Sequence, residues 1–108
     1  MKNIAGLPAH YRKLRKKYPA YFDSLDALGE KARQAGPLDE KTAQLIQLAA
    51  AAAVRSEGGV HSHARRSLLA GARMEELHHA IILITSTVGF PTVAAALSWI
   101  EDMPRKQQ

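Results

Sequence analysis

The chain has 108 residues, 46% hydrophobic and 23% charged, which is the size and makeup of one soluble globular domain. It holds no cysteine. This excludes a disulfide framework, thiolate metal ligands, a cysteine nucleophile and a redox pair, and leaves cysteine usage silent on the compartment. The formal charge of +5 is unevenly placed, because residues 1–20 carry six of the fifteen Lys and Arg and no acid, and the other 88 carry nine basic and ten acidic groups. A basic amino-terminal arm therefore precedes a nearly neutral body.

Taken in order, Pro8 opens a helix expected over about Ala9 to Lys17, and Tyr18-Pro19 forces a restart. A second helix is expected from about Ala20 to Gln34, with Tyr21, Phe22, Leu25, Leu28 and Ala32 near helical spacing and Gly36-Pro37 as its stop. Asp39 reads as the N-cap of a third helix that carries Leu45, Ile46, Leu48 and the alanine run 49–53. So little side-chain volume predicts a close approach of another helix.

A break at Glu57-Gly58-Gly59 is expected before a fourth helix, Val60 to Ala70, closed by Gly71. A fifth runs from near Ala72 to about Val88, with Glu75 and Glu76 complementing its dipole. Gly89 punctuates, and a sixth has Pro91 at its first position and ends near Asp102. The pattern predicts an all-α domain over 19–103, with a basic arm at 1–18 and a frayed tail at 104–108. No segment alternates as a strand would.

Leu77 to Ile100 is a stretch of 24 residues free of Asp, Glu, Lys and Arg, long enough for a membrane span. Its two histidines, its Ser and Thr residues, the Gly89-Phe90-Pro91 break and its acidic flanks instead read as two abutting buried helices, with no membrane partner. The charged amino terminus does not resemble a secretory leader, so the expected location is cytoplasmic. Two helices apolar around most of their circumference need company, which predicts a homo-oligomer.

Four of the five histidines, His61, His63, His78 and His79, lie within residues 61–79. Residues two apart on a helix diverge by roughly 200°, so His61 and His63 do not converge on one ion. No metal site is expected. The string Ser56-Glu57-Gly58-Gly59-Val60-His61-Ser62-His63, followed by Arg65 and Arg66, places helix-start amides beside an imidazole and two cations. It reads either as an anion site or as a plain interhelical turn. The arm Arg12-Lys13-Leu14-Arg15-Lys16-Lys17 lacks any nucleic-acid motif and reads as a solvated helix face, with no nucleic-acid partner.

Three features carry a family resemblance. They are the alanine-rich helix beginning Thr42-Ala43-Gln44-Leu45-Ile46, His63 followed by Ala70-Gly71-Ala72, and Glu75-Glu76-Leu77 leading to Gly89-Phe90-Pro91. Over Gln44 to Trp99 the chain resembles the carboxymuconolactone decarboxylase and alkylhydroperoxidase D (AhpD) family. That resemblance implies an AhpD-like multi-helix orthogonal bundle of about six helices, assembled as a trimer or hexamer.

In peroxidase-type members a glutamate precedes a Cys-x-x-Cys motif and a histidine. Here those positions hold Gln44, Ser56, Gly59 and His63, so the thiol mechanism has no nucleophile. The decarboxylase branch needs an anion pocket and a proton carrier and no cofactor. The resemblance then points to His63 as general acid or base. Glu57 and Gln44 are candidate helpers, and Ser56, Gly58, Gly59, His61, Arg65 and Arg66 are candidates for holding a small carboxylate or lactone. The competing expectations are a catalytically silent oligomeric subunit that binds a partner protein, and a peroxidase relative by ancestry alone.

Overall fold

The computed structural model describes residues 8–103 as seven helices, with no strand among the described residues. The expected tail at 104–108 lies outside them. Backbone contacts divide the chain into two units at Pro37/Leu38, so the helix of the basic arm falls in one unit with the helix that follows it. The basic helix thus has a local partner.

That partner is the next helix. α1 (Ala9–Lys17) and α2 (Pro19–Gln34) are separated by Tyr18, held at φ −128° because a residue before proline avoids the helical region. The two are joined by Arg15, whose guanidinium makes a two-pronged bond to Asp26, Nη1 to Oδ2 at 3.0 Å and Nη2 to Oδ1 at 2.8 Å. The same group lies 5.2 Å from the Tyr11 ring centre and 5.0 Å from that of Phe22. Asp26 and then Tyr11 hold the guanidinium proton even more firmly than usual. Phe22 is the buried residue of this pair of helices and takes the edges of Tyr11 and Tyr21.

The second unit comprises α3 (Glu40–Ala53), α4 (Glu57–Leu69), α5 (Met74–Ile82), α6 (Thr85–Val88) and α7 (Phe90–Glu101). Its core is built by Leu48, Val60, Leu77, Ile81, Val93 and Ile100, each at most 1% exposed. α3 has its most extensive packing with α4, and α5 and α7 close around the pair. Asp39 caps α3 as expected, its carboxylate accepting from Thr42 N–H at 2.8 Å. At α5, Glu76 accepts from Arg73 N–H at 2.8 Å and reaches Lys41 of α3 at 3.1 Å.

Three boundaries differ from expectation. α4 begins at Glu57, so Gly58 and Gly59 lie inside its first turn and the break falls at 54–56. There Arg55 takes φ +58°, while Arg55 N–H and Ser56 N–H bond Ala52 O and Ala51 O, the paired bonds of a left-handed helix stop. Gly71, at φ +100°, makes the same stop for α4 through Leu68 O and Ser67 O, as its sequence position suggested.

The expected fifth helix, 72–88, is two helices. The first stops at Ile82 and the second starts at Thr85, whose Oγ1 donates to Ile82 O at 2.6 Å across the break. In α7 the first residue is Phe90, so Pro91 falls at the second position, after Gly89 at φ +91°. These interruptions cut the long apolar run, and no helix among the described residues is long and apolar enough to cross a membrane.

The close approach expected of the alanine run is made by Gly59. A Cβ added there would stand 2.8 Å from Ser56 Oγ and 3.0 Å from Ala51 Cβ, whereas at Gly58 it would meet nothing within 4 Å. Adjacent glycines should therefore respond with opposite sign to alanine. G58A is expected to stabilise by about 0.4–1 kcal/mol, and G59A to destabilise by about 1–3 kcal/mol, both read by urea denaturation. Equal effects at the two positions would contradict the packing.

The carboxyls of Asp39 and Glu76 lie below their usual range, Asp39 chiefly through Thr42 and Glu76 chiefly through the Arg73 N–H and then Lys41. A depressed folded-state pKa contributes stability above the unfolded value, and that contribution is lost as pH falls through the folded one. Unfolding midpoints measured from neutrality down through about pH 4 should decline less steeply in D39N and E76Q than in the parent chain. An unchanged acid slope in both variants would remove these caps from the account.

Candidate functional site

Two pairs of contacts show that α3 and α4 run antiparallel: Ala51 lies beside Gly59, and Gln44 beside His63. Gly59, His63 and Ser67 are four residues apart and share one stripe of α4. The narrow end at Gly59 brings backbones together. Two turns of α3 away, the gap admits a side-chain amide and an imidazole.

Gln44 is 1% exposed, so both ends of its amide must find partners. Its Nε2 donates to Glu40 Oε2 at 2.9 Å, one turn earlier on α3, and its Oε1 meets His63 Nδ1 at 2.9 Å. An ionised carboxylate only accepts, so the NH2 end of the amide faces Glu40 and the carbonyl end faces the ring. His63 Nδ1 then carries a hydrogen and donates it. The proton-accepting atom of the neutral ring is Nε2. Ser67, fully buried, donates from Oγ to His63 O at 2.7 Å and ties its hydroxyl into the same turn.

The other candidate residues are placed around the helix as follows. Ser56 is the N-cap of α4, and its Oγ accepts from Gly59 N–H at 3.0 Å. That amide is thereby committed to the protein. Gly58 is exposed in the first turn, as is Glu57. Glu57 lies six residues before His63, roughly 240° around the helix. The group that orients His63 is Gln44.

His61 Nε2 meets Trp99 O at 3.0 Å, and since a carbonyl only accepts, the imidazole donates. His61 therefore pins α4 to α7 while His63 faces α3. Arg65 is half-buried and roughly 200° around from His63. Arg66, also half-buried, is three residues on and flanks the His63 stripe. The site thus gathers Glu40, Gln44, His63 and Ser67, with Arg66 alongside, and sends His61, Glu57 and Arg65 elsewhere.

His78 Nε2 approaches Glu101 Oε1 at 3.5 Å, and His79 is exposed. Among the described residues no group of three His, Asp or Glu could hold a metal ion. Sequence reading missed Glu40 and Ser67. Each stands four residues from a named partner, Glu40 from Gln44 and Ser67 from His63, and that spacing was the available signal.

An all-α unit with a histidine held by a buried amide between two antiparallel helices defines the structural class. The Carboxymuconolactone decarboxylase family model matches residues 19–102, more than three quarters of the chain, and the protein belongs to that family. No curated protein and no solved structure matches it. The chain has no cysteine, so the positions that resemble a dithiol are filled by a helix cap, Ser56, and a close-packing glycine, Gly59.

Proposed function

We propose that the protein is a cofactor-independent lyase that acts on a small lactone bearing a carboxylate, with His63 as its general acid and base. The observation that carries this reading is the Glu40–Gln44–His63 chain of hydrogen bonds. It fixes one tautomer, so a single ring atom, Nε2, loads and unloads the proton while Nδ1–H stays bonded to Gln44 in both charge states. An imidazole suits such a task because its ordinary pKa lies near neutrality.

In the reaction proposed, the bond from ring carbon to carboxylate breaks and CO2 departs. The electron pair moves through the adjacent double bond, and the far carbon takes a proton from Nε2–H of the imidazolium. Arg66, one turn along from His63, supplies a cation for a substrate carboxylate. A thiol peroxidase cycle has no nucleophile in this chain.

A thermal-shift screen of small carboxylates and lactones is expected to yield a stabilising ligand whose effect disappears in H63Q. Turnover of that compound should fall by about 10²–10⁴-fold in the same variant. Unchanged turnover in H63Q would reject the assignment, and a screen without hits beside a stable protein partner would favour a silent subunit.

We also propose that the chain works as a homo-oligomer, a trimer or hexamer. Ile82, Leu83 and Phe90 of the long apolar run are 50%, 66% and 66% exposed in the single chain, more apolar surface in one segment than scattered surface residues require. Light scattering coupled to size exclusion should report three or six chain masses. A clean monomer at micromolar concentration would overturn it.

A further inference from the structure

A glutamine beside a histidine does not by itself settle where the ring proton sits. The amide can offer its oxygen to Nδ1–H, or turn over and offer its NH2 to an unprotonated Nδ1, which places the hydrogen on Nε2. The two arrangements are nearly the same shape, and each is complete in itself. Breaking the tie needs a third group that can only donate or only accept, placed at the far end of the amide.

Glu40 is in that place. Its Oε2 lies 2.9 Å from Gln44 Nε2, and Gln44 is buried to 1% exposure, so the amide has little water to turn toward. The neighbouring cation on the same turn, Lys41, is directed to Glu76 at 3.1 Å. Turning the Gln44 amide over would set its oxygen against the Glu40 carboxylate. That repulsive contact is what makes the second arrangement costly.

We propose that Glu40 is a positioning residue that sets the His63 tautomer through Gln44, acting from the exposed first turn of α3 on a ring it does not touch. Its carboxylate orients the amide, the amide oxygen holds Nδ1–H, and Nε2 is left as the proton-accepting atom. That Nε2 then serves a substrate rests on the function proposed above. The tautomer itself does not.

The test is the pair of ¹⁵N ring resonances of neutral His63, read by long-range proton–nitrogen correlation on the full chain. In the parent protein Nδ1 should resonate as the protonated nitrogen and Nε2 as the unprotonated one. In E40Q the residue at 40 can donate or accept, so both amide orientations become open and the two resonances should move toward each other. In the double variant E40Q/Q44E a carboxylate faces the ring directly, so once the pH is raised far enough to neutralise the imidazolium it pairs with, the hydrogen should again be on Nδ1.

Resonances unmoved in E40Q, a parent His63 protonated on Nε2, or a double variant that fails to restore Nδ1–H would each overturn the proposal. If E40Q does not fold, E40A, which removes the acceptor at the far end of the amide, decides the question by the same criterion. Failure to find a carboxylate or lactone ligand overturns the function and leaves this result intact. A parent His63 protonated on Nε2 in a protein that binds such a ligand does the reverse.

Discussion

A buried amide satisfied at both ends is the constraint around which the second unit is arranged. Leaving either end of Gln44 unpaired in the core would cost about 1–3 kcal/mol, a large part of what a domain of this size has in hand. Glu40, Gln44 and His63 must therefore keep a fixed spacing, and α3 and α4 must keep their register. The alanines of α3 and Gly59 of α4 make that register possible by letting the backbones close at one end. Packing and chemistry are two consequences of the same antiparallel pair.

The amide also changes what the histidine can be. A glutamate facing the ring would pair with the imidazolium and hold it charged to higher pH. Gln44 orients the ring without adding a negative charge next to it, and the carboxylate is moved one turn away to Glu40. The ring is held in place by a neutral group, with the nearest carboxylate of the chain of bonds one turn removed. Ser56 and Gly59 are used structurally, the serine hydroxyl capping α4 and the lack of a side chain at the glycine admitting Ala51. A thiol at Gly59 would need the space that the helix contact now occupies.

The helices were legible wherever a local residue dictates the backbone. Pro19, Asp39, Gly71 and Gly89 each do what their chemistry requires, so most element ends fall within a residue or two of expectation. The exceptions lacked such a marker. The stop after α3 uses Arg55 in a left-handed conformation that side chains rarely favour, and the break before α6 falls at Leu83 and Ile84, where neither glycine nor proline stands. Both are decided by geometry a linear reading does not contain. The doublet Gly58-Gly59, which by sequence reads as a break before the helix, sits inside it, with Ser56 as the cap and Ala51 against Gly59.

The candidate site was half legible for a related reason. The resemblance singled out Gln44 and His63, and the fold brings them to 2.9 Å. The neighbours suggested by sequence proximity, Glu57, His61 and Arg65, are dispersed by the helical rotation of 100° per residue. Glu40 was invisible because its importance lies in what it cannot do, which is donate a hydrogen bond. The same logic operates in the first unit. There the slightly exposed Arg15 turns its charge to Asp26 and two aromatic rings, so one of the six cations counted in the basic arm is committed within the helix pair. A charge count weighs each cation alike. The partner of each cation decides whether it is a contact for something else or a part of the fold.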